Sequence, residues 1–285
     1  MIAATPRCTE SWAAREPPVR SWVLGSGSKG NAVLVEAGGE RLLIDNGFGT
    51  RTIAGRLKAL GVVPHAIGAV LVTHEHIDHS SGVAPAVKKW NWKVIASAGT
   101  LGAMRHLPAG RRIALREGES ISFGAFDLLG VRVPHDATEP MGFVVTARAT
   151  GARLGMATDL GEIPLALLTA FERLDVLILE SNHDEEMLRS GPYPLFLKER
   201  ILARTGHLSN AACGAALATL AHRGLTHVVL AHLSETNNAP DVARRSAAAA
   251  LRRAGWRGTL RVATQDAPGD ACGEPVAQLA LPLLS

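Results

Sequence analysis

The chain has 285 residues, of which 47% are hydrophobic and 20% charged, and its formal net charge is +4 at pH 7. A chain of this length can bury a large core within a single domain. No apolar stretch reaches the roughly 18 residues that a membrane-spanning helix needs. Residues 1–18 also lack the uninterrupted apolar segment of a secretory signal. The modest positive charge is compatible with a polyanionic substrate.

Cysteine usage indicates the redox compartment. The three cysteines, Cys8, Cys213 and Cys272, are odd in number and far apart, unlike a disulfide framework or a zinc ribbon. We therefore expect a cytoplasmic protein with reduced thiols.

The hydrophobic pattern predicts strands that alternate with helices in two successive halves of the chain. The predicted strands are Arg20–Leu24, Ala32–Glu36, Arg41–Asp45, Ala69–Val72, Arg112–Leu115, Phe126–Val133, Gly142–Ala147, Arg153–Ala157, and the apolar runs that precede Glu180 and His232. The predicted helices are Thr50–Leu60, Ser80–Trp90, Pro164–Phe171, Pro194–Thr205, Asn210–His222 and Pro240–Ala254. This alternation, with several hairpins, fits an α/β fold built as a four-layer sandwich.

The most informative segment is Thr-His-Glu-His-Ile-Asp-His at residues 73–79. It directly follows the apolar run 69–72, so its side chains crowd the point where a buried strand opens into a loop. Imidazole and carboxylate groups are the donors that suit zinc, manganese or iron. We interpret the segment as a metal site with the ligands His74, His76, Asp78 and His79.

The pattern HxHxDH, followed by Ser-Gly and a helix, resembles the signature of the metallo-β-lactamase superfamily. The resemblance implies an αββα sandwich with one or two metals at one end of its sheets, and three further ligands, His135, Asp159 and His232. Each of these follows a predicted strand. By resemblance, the first metal is held by His74, His76 and His135 and the second by Asp78, His79 and His232. Asp159 would bridge the two cations, which share a nucleophilic hydroxide.

Two segments of the second half resemble ribonuclease Z. Residues 177–184 place Glu180 after an apolar run, and residues 205–209 contain a Gly-His pair at a helix start. In those phosphodiesterases the matching Glu and His assist proton transfer to the leaving oxygen, so the resemblance assigns that role to Glu180 and His207. The implied catalytic residues are Asp78, Asp159, Glu180 and His207.

A resemblance to the YycJ/WalJ subgroup covers most of residues 20–255. It rests on the segments 24–31, 73–79, 133–136, 180–184, 206–210 and 231–234. Members of that subgroup are associated with 5′→3′ exonuclease action on double-stranded DNA. The chain has no long insert resembling the β-CASP cap and no arm like the tRNA-gripping arm of ribonuclease Z. Nucleic acid would therefore be held by the surface of the core itself.

Candidate substrate contacts have structural alternatives. The glycine-rich segment 25–31 either presents N–H groups and hydroxyls to an anion or is a turn between strands. The side chains around the turn 191–194, which are Arg189, Tyr193, Lys198 and Arg200, either neutralise phosphates or form a solvated helix face. His183 and Ser209 either contact substrate or cap helices. The candidates are Ser28, Asn31, His183, Arg189, Lys198 and Ser209, while Asp45 is expected to orient the metal loop.

We expect three parts in the chain: a leader (1–18) that lacks periodicity and is disordered, a metallo-β-lactamase-fold catalytic domain (19–262), and a flexible tail (263–285) that begins with a linker-like stretch. Residues 278–283, Gln-Leu-Ala-Leu-Pro-Leu, resemble the peptides with which bacterial proteins dock on the DNA polymerase sliding clamp. The candidate clamp contacts are Gln278, Leu279, Leu281 and Leu283. The alternative is that the tail folds back on the domain.

We therefore expect a hydrolase with two divalent metal ions that cleaves phosphodiester bonds, most specifically a 5′→3′ exonuclease of double-stranded DNA that acts in replication or repair. One alternative is a small-molecule hydrolase of a cyclic phosphodiester, thioester or lactone. Another is an inactive scaffold on the sliding clamp, which is disfavoured because every metal ligand is present. The donor set leaves zinc, manganese and iron open, and it leaves cleavage polarity and oligomeric state open as well.

The tail makes a direct prediction. A peptide of residues 274–285 is expected to bind the sliding clamp, because Gln278 and the leucines match a groove-binding pattern. Changing Gln278 and Leu281 to Ala should abolish binding in a fluorescence titration. Absence of binding by the unaltered peptide at roughly tens of micromolar would contradict the assignment.

Overall fold

The structure is a computed structural model that describes residues 19–273. Its strands are β1 (Arg20–Gly25), β2 (Ala32–Ala37), β3 (Glu40–Ile44), β4 (Ile67–Leu71), β5 (Lys93–Ala96), β6 (Arg112–Ala114), β7 (Ser120–Phe123), β8 (Phe126–Arg132), β9 (Met141–Ala147), β10 (Arg153–Ala157), β11 (Val176–Glu180), β12 (His227–Ala231) and β13 (Thr259–Val262).

The helices are α1 (Thr50–Ala59), α2 (Ile77–Ser80), α3 (Val83–Trp90), α4 (Ala98–Ala103), α5 (Leu165–Ala170), α6 (Glu185–Ser190), α7 (Leu195–Leu202), α8 (Asn210–Leu220) and α9 (Pro240–Arg253). Short 3₁₀ turns at Pro64–Ala66 and Ala109–Arg111 lead into β4 and β6. Among residues 19–273, no helix combines the length and the apolar character needed to cross a membrane.

The strands form two mixed sheets with mirrored organisation. The first has the order β1-β2-β3-β4-β5-β6 and the second the order β13-β12-β11-β10-β9-β8-β7. In the first sheet β1 to β3 are antiparallel and β3 to β6 parallel, and in the second β7 to β10 are antiparallel and β10 to β13 parallel. Helices cover the outer face of each sheet, so the predicted four-layer αββα sandwich is confirmed.

Three hydrophobic clusters correspond to the three interfaces between these layers. The cluster between the sheets includes Ile44 and Phe143, the cluster under α1 and α3 includes Trp92, and the cluster under α5, α8 and α9 includes Phe171. The parallel strands lie between two of these interfaces, and β11, for example, is buried along its whole length. Uninterrupted apolar runs therefore mark the parallel strands in the sequence.

The predicted elements are present with end shifts of up to three residues, and one of the largest shifts follows the metal loop. There the helix predicted from Ser80 begins at Val83, because residues 77–80 form the separate one-turn helix α2. Sequence analysis missed the short strands β5, β7 and β13. These strands have only four residues each, and β7 and β13 are edge strands that each pair with a single neighbour. Tertiary pairing, rather than a local hydrophobic pattern, specifies such short strands.

Residues 263–273 differ from the flexible tail that was predicted to begin at 263. They return across the first strand, where the N–H of Ser26 donates to the carbonyl of Thr264 at 2.9 Å and the N–H of Gly269 donates to the carbonyl of Val23 at 2.9 Å. Cys272 then pairs with Ser21 as an antiparallel bridge. Backbone hydrogen bonds thus hold this segment to the domain. The predicted leader 1–18 and the clamp contacts Gln278, Leu279, Leu281 and Leu283 lie outside the described residues.

Glycine allows the loop after β3 to lie directly against the loop after β4. A Cβ atom added to Gly47 would come within 1.8 Å of the carbonyl oxygen of Asp78, and one added to Gly82 would come within 1.9 Å of the carbonyl oxygen of Phe48. In both cases the obstacle is backbone, which cannot move aside as a flexible side chain can. These two contacts fix the position of the loop 73–79.

Gly47→Ala is therefore expected to lower the free energy of unfolding by about 1–3 kcal/mol, the usual cost of overpacking, and to weaken metal binding. Urea denaturation and metal analysis measure the two effects. Gly55→Ala is the matched control, because Gly55 lies exposed in α1 with no atom within 4 Å of the added Cβ. Equal stability of both variants would contradict the tight contact.

Candidate metal centre

The polar side chains predicted to act together lie at one end of the sandwich, beyond the carboxyl ends of the parallel strands. Asp45 follows β3, the loop 73–79 follows β4, Asp159 follows β10, and His232 follows β12. Glu180 is the last residue of β11. Because parallel strands present their carboxyl ends at the same edge, segments far apart in the sequence meet here.

The chain turns sharply where it leaves three of these strands. Asp45, Asp159 and His232 have φ angles of 61°, 59° and 55°, in the left-handed region that non-glycine residues adopt at a cost. Only two other described non-glycine residues, Asn91 and Arg173, have positive φ. Strained backbone is therefore concentrated at this edge, where it directs side chains towards a common point.

The first trio comprises His74, His76 and His135. One ring nitrogen of each histidine lies within 4.8 Å of the corresponding nitrogens of the other two. Nδ1 of His135 faces the carbonyl oxygens of Thr205 at 3.1 Å and Gly206 at 3.3 Å. Because carbonyl oxygens only accept hydrogen bonds, Nδ1 carries the proton and Nε2 presents a lone pair. That Nε2 atom lies 3.3 Å from Nδ1 of His76.

The second trio comprises Asp78, His79 and His232. Oδ2 of Asp78 lies 3.3 Å from Nε2 of His79 and 3.3 Å from Nε2 of His232. Nδ1 of His79 donates to Oδ2 of Asp45 at 2.8 Å, so the ring is oriented with Nε2 towards the trio. Asp45 is itself fixed, because it is fully buried and accepts from the N–H of Thr73 at 2.8 Å. This is the orienting role predicted for Asp45.

Asp159 lies between the two trios. Its Oδ2 is 3.0 Å from Nε2 of His79, and its Oδ1 is 4.0 Å from Nε2 of His135. Asp159 also belongs to a compact group with His74 and His79. A carboxylate in this position can offer one oxygen to each of two cations.

A histidine–glutamate pair lies beside this centre. Nδ1 of His207 lies 2.9 Å from Oε1 of Glu180, and Nδ1 of His232 lies 3.0 Å from the same oxygen. The other oxygen of Glu180 accepts the N–H groups of Leu160 at 3.0 Å and Leu208 at 3.2 Å. Glu180 is fully buried and therefore acts through the imidazoles rather than on a substrate.

The titration of the buried groups follows from these contacts. Burial disfavours the charged form of His79, but Asp159 and Asp45 outweigh burial and raise its pKa well above the usual value. In the same way burial is outweighed at His232, where Asp159, Asp78 and Glu180 raise the pKa to about 10. Burial and the neighbouring His79 instead lower the pKa of His74. Because metal ligation needs neutral imidazole, a cation would displace protons from His79 and His232.

The donor set fits divalent cations. Nε2 of His74 is buried and has no hydrogen-bond partner. Oδ2 of Asp159 is also buried and forms no hydrogen bond, although it lies close to Nε2 of His79. Buried polar atoms normally have partners, and a cation would satisfy both atoms. Imidazole and carboxylate ligands at this spacing suit zinc, manganese or iron. The structure thus brings all seven predicted ligands together, and their assignment to particular ions stays a prediction.

A pocket of about 240 Å³ opens over the centre. Of the six candidate substrate contacts, only Ser28 lines it. Asn31 is buried, with its side chain bonded to Gly27 and the carbonyl of Asp78, so it holds the glycine-rich loop. Ser209 caps α8 by accepting the N–H of Ala212 at 3.2 Å.

The other three predicted contacts also lie away from the pocket lining. Arg189 is exposed and pairs with Glu185 at 3.8 Å, while Lys198 donates to the carbonyl of Arg189 at 2.7 Å. His183 is 1% exposed, and neither ring nitrogen has a hydrogen-bond partner. In this structure the charged groups of Arg189 and Lys198 and the imidazole of His183 do not line the pocket.

Several pocket residues were not among the predicted contacts. They are Asp136, Asn182, Leu197, Ile201, Thr205, Gly206 and Ser234, whereas Tyr193 and Arg200 belong to the surface predicted around the turn 191–194 and do line the pocket. Arg200 pairs with Asp136 through contacts of 2.5 and 2.9 Å, so it has a carboxylate partner across the pocket. The spacing of Leu197, Arg200 and Ile201 along α7, which places them on one helix face, was the sequence signal that could have identified this wall.

Asp159→Ala is expected to lose bound divalent metal together with activity, because the substitution removes the carboxylate between the trios. Elemental analysis of the purified protein measures the metal content. Asp241→Ala is the control, since Asp241 is an exposed carboxylate in α9 that neither lines this pocket nor belongs to either trio. A full metal complement in Asp159→Ala would show that the two trios bind cations without it.

Comparison with known proteins agrees with this geometry. Residues 40–233 match the family described as the beta-lactamase superfamily domain. Exodeoxyribonuclease YycJ of Bacillus anthracis is 33% identical over 82% of this chain and 89% of its own length. Exodeoxyribonuclease WalJ of Streptococcus pneumoniae is 32% identical over 78% of this chain and 84% of its own length. The crystal structure of YhfI, a metallo-beta-lactamase fold protein from Bacillus subtilis, superposes with a TM-score of 0.68 at 16% identity, covering 89% of this chain and 100% of that one. The chain therefore belongs to the metallo-β-lactamase superfamily, with YycJ and WalJ among its relatives, and is a metal-dependent hydrolase.

Proposed function

We propose that this protein is a phosphodiesterase with two divalent cations that removes nucleotides from the 5′ ends of double-stranded DNA. Two relatives of similar length carry the name exodeoxyribonuclease. The two trios with Asp159 between them support this proposal, because they would provide ligands for two cations. Nucleic acid is thus the proposed substrate class, and DNA the proposed member of it.

The observation that carries this proposal is the pairing of His207 with Glu180 at the pocket. Burial disfavours the charged form of His207, but Glu180 outweighs burial and raises the pKa of the imidazole, which favours its protonated form. Its Nδ1 is engaged by Glu180 at 2.9 Å, which leaves Nε2 as the nitrogen that can donate into the pocket. Burial is outweighed at Glu180 too, where His207 and His232 lower the pKa of the carboxyl to about 2.

This arrangement suits phosphodiester hydrolysis. When bound, divalent cations held by the two trios and Asp159 would supply Lewis-acid chemistry, which polarises a phosphoryl oxygen and acidifies a water molecule. His207 would donate a proton to the departing sugar oxygen, which is a poor leaving group as an alkoxide. Glu180 holds His207 in place and stabilises its charge. Arg200 and the hydroxyl of Ser28 line the same pocket, where they can contact phosphate oxygens.

The proposal is tested with 5′-labelled blunt duplex DNA, with and without a 5′ phosphate, in the presence of zinc or manganese. The protein is expected to release nucleotides from linear duplex and to leave closed circular duplex intact. His207→Ala should lower kcat by about 10²- to 10⁴-fold, the usual contribution of a general acid, while the metal content stays unchanged. His222→Ala is the control, because that half-buried imidazole does not line the pocket.

Two outcomes would contradict the proposal. Loss of metal from His207→Ala would show that this residue acts as a ligand rather than as a proton donor. Hydrolysis of S-lactoylglutathione without hydrolysis of bis-p-nitrophenyl phosphate or DNA would instead identify a thioesterase.

A further inference from the structure

Exposed apolar side chains are concentrated around the pocket. Among residues 19–273, six large hydrophobic side chains are exposed: Val63, Ile77, Leu165, Leu195, Phe196 and Leu202. Val63 lies before β4, at the end of the sheet opposite the metal centre. The other five belong to α2, α5 and α7, the helices that follow the strand ends or adjoin the pocket. Apolar surface that is rimmed by polar groups and gathered in one region commonly marks a binding surface.

The pocket is too small to enclose a whole nucleotide. Its volume of about 240 Å³ is below the range of about 300–1,000 Å³ that encloses drug-sized ligands. A phosphate and its sugar would occupy the part over the metal ligands. The base attached to that sugar would therefore lie at the rim.

Helix α7 forms the rim at this point. Leu197, Arg200 and Ile201 line the pocket, and Phe196 precedes Arg200 by four residues, on the same side of the helix. At about 100° per residue, Phe196 is adjacent to the pocket-lining face, whereas Leu195 lies almost opposite it. Phe196 and Leu195 are each 70% exposed. Leu195 and Phe196 are therefore equally exposed, but only Phe196 lies next to the face of α7 that lines the pocket.

The surroundings of Phe196 favour a nucleic acid over an apolar protein partner. Arg200 on the same side of α7 is exposed, and Tyr193, the only tyrosine of the chain, lines the pocket just before the helix. Aromatic rings interleaved with basic side chains form the platforms on which unpaired bases stack while phosphates are neutralised.

We propose that Phe196 stacks on the base of the terminal nucleotide and thereby holds a DNA end over the metal centre. This inference rests on the proposed function and adds the group that recognises the end. Inside a duplex, both faces of each base are covered by neighbouring base pairs, so an exposed ring can stack only where a strand ends or frays. Phe196 would therefore be a positioning residue that favours cleavage at ends over internal cleavage.

The test compares Phe196→Ala with Phe196→Trp and Leu195→Ala on blunt 5′-phosphorylated duplex. Stacking on one base corresponds to a change of roughly 5- to 100-fold in affinity, so Phe196→Ala should raise KM by at least about fivefold. Phe196→Trp should keep the KM of the unaltered protein, and Leu195→Ala should change it less than about twofold. Hydrolysis of bis-p-nitrophenyl phosphate, which has no base, should be the same for all four proteins.

A second substrate isolates the base. Replacing the 5′-terminal nucleotide of the duplex by an abasic one should raise KM for the unaltered protein as much as Phe196→Ala does. The abasic substrate should cause no further loss in Phe196→Ala, because the same contact would already be absent. If the abasic nucleotide raised KM by the same factor in Phe196→Ala as in the unaltered protein, the two changes would act independently and the inference would be overturned.

The remaining outcomes are also decisive. A Phe196→Ala variant that cleaves duplex DNA like the unaltered protein would overturn the inference while leaving the proposed function intact. A variant that loses bis-p-nitrophenyl phosphate hydrolysis in parallel would show a general effect on the site and overturn it as well. A dimer that dissociates on Phe196→Ala in light scattering would identify this face as a subunit interface instead. Failure of the unaltered protein to cleave any DNA would refute the proposed function and this inference together.

Discussion

The structure depends on the compensation of buried charge at one edge of the two sheets. Asp45, Asp159 and Glu180 are almost completely removed from water, a position that an isolated carboxylate could not keep without a large cost. Each is close to imidazole nitrogen, and Asp45 and Glu180 also accept backbone N–H groups. The same contacts that make burial tolerable also orient the imidazoles. Stability and the geometry of the site are therefore consequences of one set of interactions.

The sandwich supplies the setting for these contacts. Its two halves both end their parallel strands at the same edge, so loops from both sheets meet over a single pocket. Close backbone contacts at Gly47 and Gly82 and the left-handed residues after β3, β10 and β12 set the path of these loops. The helices contribute mainly the outer walls, of which α7 reaches the pocket directly. Rigid strands thus position the ionisable groups, while loops and one helix shape access to them.

The fold and the metal centre could be predicted because their signals are local in the sequence. The loop 73–79 contributes four of the seven predicted ligands within six residues, and the other three each follow an apolar run. The substrate contacts could not be predicted in this way. Asn31 and Ser209 have side chains equally suited to bind an anion or to satisfy backbone groups, and only their burial in the folded protein decides for the second role. Of the four side chains predicted around the turn 191–194, Tyr193 and Arg200 line the pocket and Arg189 and Lys198 do not, because the docking of α7 decides which of them face the metal centre.

Glu180 shows how closely the parts of this centre are linked. One of its oxygen atoms contacts both His207, the proposed acid, and His232, a predicted ligand. Replacing Glu180 would release both rings at once, so no single change at that position can separate cation affinity from acid strength. Substitutions at 180, 207 and 232 would consequently show strong epistasis, since members of one hydrogen-bonded network do not act additively. Evolution at this edge would then have to alter the three residues in concert.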